Sequence, residues 1–373
     1  METKQFLNLY SISFRVGDVE FGHQLRSVKI HKNVTNTHFV EDLYIFDKTA
    51  VDLFNALLAE ATVEISINRS GSYRKIYKSK GIISKVEYND EKIYVFFETY
   101  QKLNWMRKNG VSIVCEHATV KEGAQKFVDK VDYFYKHKNK TLFWINFEKN
   151  INNYRYENLF FPIKKNNFDT VYQICKNYFI LNSPFYLFLD DYNFDENIKP
   201  VALNIYDLSE IKSLRAVLLS DLHTSTRPLV KTTGSYYDTK AYYNIEKMQR
   251  FDNNNNNYSH LKPTFQLDPE NRFKYNEVPD TEQQAVLRQK KNKMFFAKAA
   301  RYYKYELQDF DLTKFKIGYR FVDDTSNAKI QYAQAIVDAE IRFYAAGKHD
   351  VIENRGEAAN QFLITAKFTT ITN

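Results

Sequence analysis

The sequence predicts a mixed β and α+β protein, and three observations carry that prediction. Residues 1–110 alternate apolar and polar side chains with period two between short turn signals. Residues 111–200 change to helical spacing interrupted by a short aromatic run. After a long asparagine-rich stretch, residues 281–373 read as a helix followed by strands.

In the first stretch, Tyr10, Ile12, Phe14 and Val16 fall on one face of a strand, and Leu25 to Ile30 forms the next apolar segment. Further strands are expected at Leu43 to Phe46, Val63 to Ile67, Tyr73 to Tyr77, Ile82 to Tyr88 and Ile93 to Thr99. The turn signals Arg69-Ser70-Gly71-Ser72 and Asn89-Asp90-Glu91 space them as a hairpin meander, the pattern of a small barrel or sandwich. One helix is expected to interrupt it at Thr49 to Leu58, with Val51, Phe54, Leu57 and Leu58 sharing a face.

Val120, Ala124, Phe127, Val128 and Val131 form one stripe of a helix at about 119–132. A second helix at about 168–180 follows the cap residue Asn167 and repeats Phe168, Val171, Ile174, Cys175 and Tyr178. Pro184 to Leu189 is too short and aromatic for a helix and reads as a buried strand ending in Asp190-Asp191, with a partner near Val201 to Tyr206. Residues 231–280, with the run Asn253 to Asn257, read as a long surface loop or arm. Pro279-Asp280-Thr281-Glu282 looks like the start of a helix running to about Leu307. Strands then follow at Phe315 to Phe321, Ile330 to Phe343 and Gln361 to Thr370.

The chain has 373 residues, with Lys+Arg 53 against Asp+Glu 45, a net charge of +8. Hydrophobic residues make up 44% and charged residues 26%, the composition of a folded protein, and the length suits two or three domains at about 150 residues each. No apolar window approaches the roughly 18 residues of a membrane helix, and the start lacks a signal-peptide pattern, so a soluble, unexported protein is expected. Gly 10 and Pro 7 are scarce, which leaves asparagine as the main turn residue. Cys115 and Cys175 stand far apart without ligand spacing, so they read as buried thiols, not as a disulfide or a zinc site.

Candidate chemistry is thin. Asp190-Asp191 and Asp323-Asp324 are adjacent carboxylates at strand ends, where neighbours point to opposite faces and do not converge on one metal or substrate atom. His223 lies two residues after Asp221 and His349 precedes Asp350, but no GxSxG, HExxH, phosphate-binding loop or GxGxxG motif accompanies them. No catalytic, cofactor or metal residue is therefore assigned. Basic segments at Arg288 to Lys293 and Lys136 to Lys140 offer phosphate contacts. Yet acidic residues are mixed into the basic excess along the whole chain, and the 16% aromatic content equally suits surface buried in an assembly.

Four places carry a family resemblance. Leu25 to Ile30, Glu41 to Asp47 and Val63 to Ile67 resemble the opening barrel of the baseplate central hub protein of contractile-tailed bacteriophages, the trimer that joins tail tube to spike. Lys80 to Val86 followed by Ile93 to Glu98 resembles the hairpin closing that barrel. The 168–180 helix with Phe185 to Asp191 resembles the family's middle α/β region, and Ala299 to Leu307 with Phe310 to Gly318 resembles the start of its last barrel. The resemblance implies two tail-tube-like antiparallel β-barrel domains plus a middle α/β region. Its boundaries are 1–110 for the first barrel, 111–200 for the middle region, and 201–230 with 312–373 for a discontinuous second barrel. Residues 231–311 are then an insertion with the Asn-rich loop and long helix.

The same resemblance implies a non-enzymatic virion protein of the tail baseplate, made in the host cytoplasm, without cofactors. Its implied partners are two further copies of itself, the tail tube protein, the spike protein and other baseplate proteins. DNA passes through the channel without sequence-specific binding, which favours mixed or acidic channel walls. No stable membrane insertion is implied. Two other readings stay open at this stage: another tail adaptor or receptor-binding component, and a polysaccharide-binding or hydrolysing protein using tyrosine-lined β surfaces.

Overall fold

The computed structural model describes residues 8–33, 41–69, 72–89, 91–108, 110–135, 144–147, 155–164, 166–171, 185–190, 202–207, 216–222, 230–236, 249–251, 258–260, 301–315, 317, 320–322, 324, 334–345 and 361–372. The strands are β1 (Leu9–Val16), β2 (Val19–Glu20), β3 (Leu25–Asn33), β4 (Asp42–Asp47), β5 (Glu60–Arg69), β6 (Ser72–Asn89), β7 (Lys92–Thr99), β8 (Ile113–Ala118), β9 (Trp144–Phe147) and β10 (Tyr156–Phe161). They continue as β11 (Phe185–Asp190), β12 (Ala202–Asp207), β13 (Ala216–Leu218), β14 (Val230–Tyr236), β15 (Gln249–Phe251), β16 (Tyr258–His260), β17 (Arg301–Gln308), β18 (Arg320–Val322), β19 (Gln334–Ala345) and β20 (Phe362–Thr372). Among the described residues, the helices of seven residues or more are α1 (Tyr100–Met106) and α2 (Val120–Tyr135).

Eight antiparallel strands close a ring in the order β19-β3-β4-β7-β6-β5-β1-β20, with β20 returning to β19. Alternation decides the inside: Tyr10, Ile12 and Phe14 of β1, Tyr44 and Phe46 of β4, and Ile93, Val95 and Phe97 of β7 are all buried. Phe14 sits at the centre, with ring centroids 5.0 Å from Tyr44, 5.1 Å from Phe46 and 6.1 Å from Phe97. The β1–β2 turn is the two-residue Gly17-Asp18, with Gly17 at φ 57° as a primed hairpin turn requires. Two strands expected at 73–77 and 82–88 are one 18-residue strand, β6. Gly81 does not break it; a Cβ there would lie 1.9 Å from the backbone oxygen of Glu98, so glycine is what lets β6 and β7 approach.

The ladder also runs across the boundary expected between 1–110 and 312–373. Residues 338–344 of β19 pair with β3, while Ala335 and Gln334 on the same edge pair with β18. On β20, Phe362 pairs with β1 and residues 365–372 pair with β17. The long β19–β20 hairpin thus serves two sheets. Its far half belongs to β13-β18-β19-β20-β17-β14, in which β13 and β18 run parallel. A bulge between Ile336 and Asp338 marks the changeover.

Three expectations are corrected here. Residues 301–307 are strand, not the end of a long helix, because Tyr303, Tyr305 and Leu307 are buried while Lys304 is exposed, a period of two. Residues 279–300, the rest of that helix, lie outside the described residues. Residues 231–236, expected as loop, form β14 against β17, so both ends of the expected insertion join the sheet. Of the strand expected over Phe315 to Phe321, the described residues are strand at Arg320 and Phe321 and not at Phe315 or Ile317; just before it the chain turns at 312–314, where the side chain of Asp311 accepts from Thr313 N and Oγ1.

Smaller sheets are built from residues 113–207. β8 and β10 pair antiparallel, and α2 covers one face, with Phe127 stacked on Phe161 at 5.5 Å. Thr119 and Glu122 form a reciprocal capping box at the start of α2: Glu122 N donates to Thr119 Oγ1 at 3.1 Å and Thr119 N to Glu122 Oε2 at 2.9 Å. β11 pairs antiparallel with β12, which runs parallel to β9. The expected 168–180 helix is seen at 167–171; its remainder is outside the described residues.

Candidate interaction surface

The segment expected as an amphipathic α-helix over Thr49 to Leu58 folds as a 3₁₀-helix, Val51–Ala56. With three residues per turn, Ala50, Leu53 and Ala56 align inward and are buried. Val51, Phe54, Leu57 and Leu58, expected to share one helical face, are exposed, Leu58 at 70%. Leu58 adopts φ 62°, in the left-handed region, and its N–H donates to Ile83 O at 2.9 Å while Ile83 N donates to Ala59 O at 3.2 Å. Those bonds to β6 fix the strained backbone and hold the leucine outward. Phe54 meets Tyr88 of β6 edge-on at 5.4 Å, extending the apolar surface to five large side chains.

A second apolar surface lies on the face of the β8–β10 pair away from α2. Val114 and Phe160 stand opposite one another in register, 61% and 52% exposed, with Ile163 beyond. Cys115, on the covered face, is buried, and burial pushes its thiol up, which makes it an unreactive packing residue.

Charge on the first ring is paired instead of clustered. Glu64 of β5 takes Lys75 at 2.5 Å and Lys78 at 2.6 Å, both from β6. Burial opposes ionisation of Glu64, yet the two ammonium hydrogen bonds outweigh it and hold the carboxyl below its ordinary value. Lys80 and the Tyr100 hydroxyl donate to Glu60 at 3.0 and 2.8 Å, and Lys85 pairs with Glu87 and lies 5.0 Å over the Phe96 ring. Four of the five cations of β6 are thus held against carboxylates, Lys75 and Lys78 sharing one of them.

Of the carboxylates and histidines singled out in the sequence, Asp190, Asp221 and Asp324 fall among the described residues. Asp190 ends β11 opposite Ala202, and Asp324 accepts from Ser220 N at 2.9 Å and from its hydroxyl at the start of the helical turn Leu219–Leu222. Asp191, Asp323, His223, His349 and Cys175 lie outside the described residues. Among the described residues, no three His, Cys, Asp or Glu side chains are grouped to hold a metal ion. The basic segments 288–293 and 136–140 also lie outside them. No helix among the described residues is long and apolar enough to cross a membrane.

The apolar patch at 51–58 was missed as a surface because the sequence carries the same residues whether the turn is α or 3₁₀. The signal that could have found it is the i, i+3 spacing of the apolar residues Ala50, Leu53 and Ala56.

No protein-family model and no curated protein matches the sequence. Among solved structures, the tail protein from Neisseria meningitidis MC58 is similar at 10% identity over 98% of this chain and 96% of that one, with a TM-score of 0.50. The E. coli c3393 protein, a component of the type VI secretion system with structural similarity to the T4 bacteriophage tail proteins gp27 and gp5, is similar at 10% identity. That similarity covers 96% of this chain and 76% of that one, with a TM-score of 0.49. The 43 kDa tail protein of prophage MuSo2 from Shewanella oneidensis is similar at 9% identity over 97% of both chains, with a TM-score of 0.47. By fold, then, this β-rich chain, with its closed ring and second sheet on one shared hairpin, stands with the Neisseria tail protein, in accord with the hub-like resemblance of its sequence.

Proposed function

We propose that the chain is a structural virion protein, the trimeric central hub of a phage tail baseplate, which adapts a sixfold tail tube to a threefold spike. The observation that carries this reading is the closed eight-stranded ring fused to a second sheet through one hairpin, in a chain whose fold matches a tail protein along nearly its whole length. Two barrel-like units per subunit give six around a threefold axis, the symmetry match the role needs. In this reading the first barrel is centred on 1–110, the middle region on 111–200, and the second barrel on 201–230 and 312–373 with β14 and β17 added.

The interior of the first ring is filled by Phe14, Tyr44, Phe46 and Phe97, so DNA would pass between copies and not through a barrel. The exposed apolar surfaces at 51–58 and on β8–β10 are then contacts buried on assembly, with tube, spike and other baseplate proteins as partners and the virion as the location. The protein acts without catalysis or cofactor. Co-purification tests the reading: the tagged chain is expected to retain the tube and spike proteins of its own particle. Retention of neither, with binding to a glycan array instead, would overturn it.

A further inference from the structure

A transverse row of titratable side chains crosses the outer face of the first ring where β19 enters it. Asp338, the first residue of β19 after the bulge, takes His31 Nε2 at 2.9 Å, diagonally across the last pairs of the β3–β19 ladder. Glu340, directly opposite His31, binds Lys29 at 2.7 Å and Arg342 at 2.5 Å. On the other side of β3, continuing the Lys29–Leu43 register by two residues brings Glu41 level with His31. Continuing β4–β7 by one brings Glu41 level with Glu98, so the two carboxyl groups are neighbours across the ladder. The remaining neighbours of Glu98 are Lys102 of α1, buried beside it, and on β6 the opposed Ile82 flanked by Lys80 and Ser84. Two neighbouring carboxyl groups repel when both are ionised, so one of them gains by holding its proton, and an imidazole pairs fully with a carboxylate only when protonated.

We propose that this row is a protonation latch on the ring: a proton on Glu98 beside Glu41 and a proton on His31 facing Asp338 tighten the seam between β7, β4, β3 and β19 in mild acid, and their release loosens it as the medium turns alkaline. Both groups act in the same direction. The Asp338 hydrogen bond raises the His31 pKa above 6.5, so its contribution is fully present below that value and is lost as pH rises through the higher folded one. Burial, then Glu41, raises the Glu98 pKa above 4.5 against the pull of Lys102, so its contribution too is complete in acid and lost as pH rises. Glu340 behaves oppositely: Lys29 and Arg342 overcome its burial and lower its pKa, so its contribution is lost only below 4.5, beneath the window in which the latch acts. The position gives the latch a readout. It lies where a hairpin shared with another sheet joins the ring, so loosening there frees one half of the hairpin while the other half stays paired.

The test is backbone hydrogen exchange of the full chain at about pH 5.5 and about pH 8, corrected for the intrinsic pH dependence of exchange. Protection of β3, β4 and the 338–345 half of β19 is expected to fall on the order of tenfold between the two, while β17 changes little. In Glu98→Gln, whose amide keeps a donor at every pH, the β4–β7 dependence should flatten, and in His31→Gln the β3–β19 dependence should flatten. Equal corrected protection of the wild-type seam at both pH values would overturn the proposal without any variant. A wild-type dependence that both variants retain would overturn it as well.

Discussion

The closed ring and the second sheet share one hairpin yet are assembled by different means. In the ring, β4 to β7 are a run of chain neighbours, and β3–β4, β5–β6 and β6–β7 pair strands adjacent in sequence across short connections. In the second sheet, β13 pairs with β18 and β14 with β17 across long intervals, one of them in parallel. The cores differ too. Around Phe14 the ring packs tilted and edge-on aromatics, whereas the second sheet stacks Tyr305 flat on Phe368 at 5.1 Å and ties the Tyr305 hydroxyl to Gln334 at 3.0 Å, with Thr370 donating to the same oxygen. Local pairing lets β3 to β7 form early, while closing the ring through β19–β3 and β1–β20 needs the hairpin in place, as does the second sheet.

Core truncations probe the difference most strongly. Phe14→Ala and Phe368→Ala should each cost about 3–5 kcal/mol, read by chemical denaturation. Exchange should separate them: Phe14→Ala loosens β1, β4 and β7 and spares β17, and Phe368→Ala does the reverse. If both variants loosen both regions alike, the two sheets are one cooperative unit and the comparison fails.

A smaller loss, about 3 kcal/mol, is expected from Gly81→Ala, since its Cβ would meet the Glu98 carbonyl and push β6 from β7. The loss should be confined to the ring. Tyr10→Phe tests the joint itself. The Tyr10 hydroxyl donates to Phe310 O at 2.7 Å and accepts from Leu312 N at 3.0 Å, so its removal leaves both buried backbone groups without it, at about 1–2 kcal/mol. A neutral Tyr10→Phe would mean that the regions meet through the hairpin alone.

The smallest effect lies outside both. Thr119→Ala should cost about 1 kcal/mol of α2 stability and leave both sheets unchanged. The Thr119 backbone N–H, with Arg155, lowers the Glu122 pKa, so that cap contributes above pH 4.5 and is lost as pH falls through the folded value. Helicity of α2 followed by exchange on acidification checks the direction.

The ring was legible because alternation along Tyr10, Ile12, Phe14 and along Ile93, Val95, Phe97 has a single reading, and Asn89-Asp90-Glu91 marks its hairpin. The second sheet was not. Arg301 to Leu307 was read as helix because Ala299-Ala300 and the charges before it favour helix locally, and only pairing with β14 and β20 reveals the period of two. The shared hairpin leaves no mark in composition either, since a strand that changes neighbours midway has the same side-chain alternation as one that does not. At the candidate surface, Phe54 and Leu58 were identified as apolar positions but grouped on one face of an α-helix, because the handful of residues at 50–58 fits both helix periods and tertiary bonds from Ile83 choose between them.

The central claim is that these two regions exist to be arranged threefold around an axis. Light scattering of the purified chain mixed with the spike protein of its particle measures that directly, against a monomer mass of 44.3 kDa. The account predicts a complex containing three copies of this chain, about 133 kDa before the spike is added in. A mixture in which the chain remains at 44.3 kDa, separate from the spike, would contradict it.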